Sequence, residues 1–99
     1  MQAVLQRKED IEDVMSWLQG ADSSNKNEIE NNIVNIGEEI VEHLVHELKN
    51  LKGIQRGIVA MSIIRIGECA ITPLRKEGMR DKDFSWIANY LISEIKCSK

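Results

Sequence analysis

The chain has 99 residues, 42% of them hydrophobic and 29% charged, with a formal net charge of −3. That length fits one domain burying about two-thirds of its unfolded surface, and the balance is too apolar for disorder. Six glycines, one proline and two cysteines exclude a turn-rich β sandwich or barrel and a disulfide framework.

Apolar residues recur at helical spacing from the start. Val4, Leu5, Ile11, Val14, Met15 and Leu18 form one face, and Arg7, Lys8, Glu9 and Glu12 fill the other. Gly20 follows as a natural helix terminator, so the first helix is expected to end near Gln19. Ala21 to Asn25 read as a loop, with Asn25 or Asn27 capping the next helix. Ile29, Ile33, Ile36 and Ile40 continue the period, as do Val41, Leu44, Val45 and Leu48. Gly37 would cost about 1 kcal/mol inside a helix, so two short helices meeting there fit better than one long one. The pattern resumes with Ile54, Ile58, Met61 and Ile66, breaks at Gly67, and returns with Ala70, Ile71 and Leu74. Gly78 and the run Arg80-Asp81-Lys82-Asp83 read as the next turn. The last helix carries Phe84, Ile87, Ala88, Leu91, Ile92 and Ile95. Isoleucine is β-branched and abundant, yet no stretch alternates strictly, so the helical period decides the class.

Laid on itself at an offset of thirty, the chain matches Ile33-Val34-Asn35-Ile36-Gly37-Glu38 with Ile63-Ile64-Arg65-Ile66-Gly67-Glu68. Ile40, Val41 and Leu44 then meet Ala70, Ile71 and Leu74. A fainter third copy, at twenty-nine, sets Ile58, Val59, Ile63 and Ile66 on Ile87, Ala88, Ile92 and Ile95. Two helices with a glycine between them, repeating near thirty residues, are a solenoid signature. The glycine is expected to allow both a tight turn and close helix packing, with Ile36 and Ile66 buried beside it. The expected plan is a single domain over 1–99: a capping helix over 1–20, repeats over 25–50 and 52–78, and a capping helix over 81–96.

The run from Arg56 through Ala60, Ile63, Ile66 and Gly67, then Ala70-Ile71-Thr72-Pro73-Leu74, resembles the HEAT-like repeat of the phycobilisome-lyase type. The copy beginning at Lys26 departs from that pattern, with Lys26 in place of the Arg and His43 in place of the Pro. The third copy carries Ser85 at the Arg position. The resemblance spans residues 26–96. It implies an all-α, right-handed α-α superhelix of about six short helices, of the armadillo-type solenoid class. Its lyase-like members handle bilin chromophores, which draws attention to Cys69. The fold alone assigns no activity.

Charge divides unevenly. Residues 1–50 carry four bases and eleven acids, a net −7, whereas residues 51–99 carry nine bases and five acids, a net +4. Such a split steers charged partners or favours head-to-tail self-association, although the same charges also solvate helical faces. No basic stripe is interleaved with aromatics, so nucleic acid is not an expected partner. Nor is a membrane: uncharged unbroken runs such as Ile58 to Ile64 are too short to span one. The opening residues lack the basic-then-apolar order of a signal peptide, and two cysteines make a reducing cytoplasm the expected compartment.

The densest chemistry lies in Glu38 to Glu47. On a helix, Glu39, Glu42, His43 and His46 share one face, which is either a solvated polar face or a place where His43 and His46 hold a metal. The spacing is neither the zincin motif nor a di-iron Glu-x-x-His pair. Cys69 follows Gly67 at a helix start, where a thiol is either activated by the helix dipole or packed inertly in a seam. Trp86 and Tyr90, four residues apart, are either core or a hydrophobic anchor for a partner. No nucleophile triad, phosphate loop or cofactor motif is present. The expected function is therefore a non-enzymatic adaptor that binds a protein or peptide. Its ridge is formed by Glu39, Glu42, His43 and His46 with Thr72, Arg75 and Lys76, with Trp86 and Tyr90 as the alternative surface. A lyase-like or chaperone-like accessory and a metal-binding regulator are the other readings.

Overall fold

The repeated Ile-Gly-Glu segments fold into the same backbone at both places. In a computed structural model, which describes residues 2–97 and side chains from residue 10 onward, Gly37 has φ 81° and ψ −150° and Gly67 has φ 100° and ψ −142°. That region is open essentially to glycine alone. Each glycine N–H bonds back to an isoleucine carbonyl four residues earlier, Ile33 and Ile63. Each is followed by a single 3-10 turn and then by a second helix. A Cβ at either position would meet nothing within 4 Å, so these glycines serve the turn and not close packing.

The helices that result are α1 (Gln2–Gln19), α2 (Lys26–Ile36), α3 (Val41–Leu48), α4 (Gly53–Ile66), α5 (Ile71–Arg80) and α6 (Lys82–Cys97). No strand occurs among the described residues. Helices α2, α4 and α6 pack in succession, and α3 packs on α5. Between α4 and α5 the chain bends by 115° at Gly67. α1 lies against α2 and its following turn, and the Gln55 side-chain amide of α4 donates to the Leu18 carbonyl at 2.8 Å. One hydrophobic cluster joins every helix, from Val14 and Leu18 through Ile33, Leu44 and Ile63 to Leu91 and Ile95. The radius of gyration, 12.9 Å, is that of a compact chain of about this length. No single helix among the described residues is long and apolar enough to cross a membrane.

Several sequence expectations change here. Asn25 sits at the α2 cap position, but its side chain serves the loop. Its Oδ1 accepts from the Asp22 N–H at 2.8 Å and its Nδ2 donates to the Gly20 carbonyl at 3.0 Å. The Ser24 hydroxyl, then the Ser24 and Asn25 backbone N–H groups, hold the Asp22 carboxyl below its ordinary range. Gly78 is not a turn residue: it lies within α5, where a Cβ would stand 3.2 Å from Ala88 Cβ, so it admits α6 at close range. The turn itself is Asp81 alone. Ile36 and Ile66 are half-buried, whereas Ile33 and Ile63 are fully enclosed, because the last helical residue before each glycine faces the rim of the core. On α4 the buried face is Ile58, Val59, Ser62 and Ile63, while Ile54 and Met61 stand exposed. Ser62 tolerates burial by donating its hydroxyl to the Ile58 carbonyl at 2.7 Å. The side chains of Val4, Leu5, Arg7, Lys8 and Glu9 lie outside the described residues.

Candidate functional site

α3 and α5 lie side by side and run in the same direction. At their N-terminal ends the Glu38 carboxylate acts on the Cys69 thiol. At their C-terminal ends Lys49 Nζ lies 3.1 Å from Glu77 Oε2 and 3.8 Å from Asp81 Oδ2.

Between the two helices runs an open groove of about 830 Å3. Glu39, Glu42, His43 and His46 line one wall, and Thr72 and Lys76 line the other. Six of the seven ridge residues expected from sequence therefore meet at one concavity. Arg75 does not: it is exposed on α5 and turned away from the groove lining. The apolar faces of both helices (Val41, Leu44, Val45, Leu48, Leu74) are buried, which forces the charged faces outward and opposite each other.

Charge along the groove is ordered. Glu38, Glu39 and Glu42 cluster at the N-terminal end and make no ion pair among the described residues. At the other end Glu77, whose side chain is only 12% exposed, lies between Lys49 and Arg80, the latter at 3.4 Å. Its Oε2 is fully buried, and the Lys49 ammonium touches it without hydrogen-bond geometry. His43 is half-buried, and its Nε2 is enclosed with no hydrogen-bond partner, whereas His46 is exposed.

Cys69 lines the groove and is exposed, so it is not packed in a seam. Partial burial of its sulfur and the nearby Glu38 carboxylate raise its pKa, the opposite of activation by a helix start. Cys69 sits in the 3-10 turn (Glu68–Ala70) ahead of α5, where a single turn carries little dipole. Among the described residues no three His, Cys, Asp or Glu side chains converge where one metal ion would reach them all, so His43 and His46 stand as a pair without further ligands.

Trp86 and Tyr90 are 67% and 58% exposed on α6, outside the core. Ile54 and Met61 border a smaller cleft of about 360 Å3 between α2 and α4. Arg65 of α4 crosses to α2 beside that seam, reaching Glu30 Oε2 at 2.9 Å and Asn31 Oδ1 at 2.8 Å. Sequence reasoning missed Lys49, Glu77 and Arg80. The signal was present, because parallel second helices bring Lys49, just past the end of α3, next to the last turns of α5.

Compared with family models, curated proteins and solved structures, the chain finds no match.

Proposed function

We propose that the chain is a non-enzymatic binding module, built as a short right-handed HEAT-like solenoid, that holds a protein or peptide segment in the α3/α5 groove. The observation that carries this reading is the meeting of Glu39, Glu42, His43, His46, Thr72 and Lys76 on one open concavity. The solenoid part rests on the succession α2–α4–α6, the packing of α3 on α5, and the glycine turn that recurs thirty residues on. A reducing cytoplasm suits its two free, exposed cysteines. A thiolate-dependent, lyase-like role gains no support at Cys69, whose pKa is raised by partial burial and the Glu38 carboxylate, opposite to an activated thiol.

The test is a random peptide library selected on the wild-type chain and rebinding to variants. Reversing charge on the groove with Glu39→Lys, Glu42→Lys and Lys76→Glu should abolish rebinding. Stability should change by less than about 1 kcal/mol per site, because exposed charges contribute little to folding. Arg75→Glu, off the groove, should leave rebinding intact. Rebinding that survives the groove reversals, but is lost in Trp86→Ala or Tyr90→Ala, would transfer the function to the outer face of α6.

A further inference from the structure

The order of charge along the groove names the partner's chemistry. Three carboxylates without ion pairs among the described residues, Glu38, Glu39 and Glu42, stand at one end. At the other end the half-buried Glu77 is already answered by Lys49 and Arg80, and Lys76 is the groove cation without an ion pair among the described residues. A uniformly basic segment would meet Lys76, and a uniformly acidic one would meet the carboxylates. Only a segment carrying both signs satisfies both ends.

Helix geometry sets the separation. Lys76 lies thirty residues beyond His46, so in the parallel pair it sits level with His46. That is four residues along from Glu42 and seven from Glu39. At about 1.5 Å per residue the two charges are roughly 6–10 Å apart along the groove. An extended peptide advances about 3.3 Å per residue, so the span corresponds to about two to three residues. Midway along that span lies His43, half-buried in the α3 wall of the groove.

Resting on the groove reading above, we infer that the partner is an extended segment of another protein bearing a Lys or Arg and an Asp or Glu two to three residues apart, the base on the Glu38–Glu42 end and the acid on Lys76. Charge complementarity of this kind selects partners more than it adds raw affinity. The contacts are solvent-exposed, so each end pair should change affinity by up to about fivefold.

The experiment titrates the full-length 15N-labelled chain at low salt with nonapeptides of Gly, Ser and Ala. Each carries one Arg and one Asp separated by one, three or six positions, in both orders, and a control carries Arg alone. Tightest binding at separation three, with amide shifts at His43, Thr72 and Lys76, is the expected result. Loss of the separation preference in Lys76→Ala would tie it to that end of the groove. If the Arg-only peptide binds as well and shifts the same amides, the two-sign partner is wrong while the groove remains the binding surface. Failure of every peptide to shift groove amides also overturns it, and the library selection then decides separately whether the groove binds anything. Shifts confined to α6 around Trp86 and Tyr90 would remove both.

Discussion

Replacing Ile63 with Ala should lower the free energy of unfolding by about 2–5 kcal/mol. Ile63 is fully enclosed in α4, at the centre of the layer where α2, α4 and α6 pack in succession. Truncation would remove apolar contacts from a close-packed interior that relaxes only partly to fill the space. Its repeat partner Ile33, equally enclosed on α2, should behave alike. Ile66 is the informative comparison. It is half-buried at the rim, so Ile66→Ala should cost distinctly less than Ile63→Ala. Urea melts followed by circular dichroism measure all three. A larger loss at Ile66 than at Ile63 would mean that the face of α4 turned to the core is misassigned.

Gly67→Ala should cost about 1–3 kcal/mol, and Gly37→Ala the same, through the backbone alone. At φ 100° and 81° an L-residue is strained, yet the space around the added methyl is empty. The penalty cannot therefore be relieved by moving a neighbour. Gly57 supplies the contrast. It lies within α4 at ordinary helical φ, and a Cβ there also meets nothing. Gly57→Ala should raise stability by about 0.5–1 kcal/mol, since alanine loses less freedom on entering a helix. Opposite signs for two open-space glycines, read in the same melts, isolate conformation from packing. Equal effects would show that the repeat turns tolerate side chains and that the Ile-Gly match carries no structural constraint.

The helical class was legible because α3 has a single apolar stripe. Val41, Leu44, Val45 and Leu48 are all buried, as their spacing required. α4 was harder. Ile58 to Ile64 is apolar nearly all round, so periodicity could not choose a face, and Ile54 and Met61 were assigned inward when they point out. Gly78 was misread as a turn because glycine has two uses, and only the 3.2 Å approach to Ala88 separates them. The groove's polar residues were found from their clustering on one helix face. The Lys49–Glu77–Arg80 bridge was not, because it joins residues whose proximity depends on the direction of packing between α3 and α5. Trp86 and Tyr90 show composition and periodicity pulling apart: large aromatics are usually buried, yet the stripe of Phe84, Ala88, Leu91 and Ile95 leaves both on the opposite side of α6, where they are exposed.

The two tryptophans divide the molecule's optical properties between them. Trp17 packs half-buried against the core at the end of α1, whereas Trp86 stands in solvent on α6. Unfolding therefore changes the surroundings of Trp17 more than those of Trp86, which is already 67% exposed, and the emission shift on denaturation reports chiefly on α1. Iodide, which quenches by collision, reaches Trp86 in the native chain far more readily than Trp17. Any ligand that seats on the outer face of α6 shields Trp86 from the quencher, while one that enters the α3/α5 groove leaves it accessible. The chain thus distinguishes its two candidate surfaces by its own light, with no label attached.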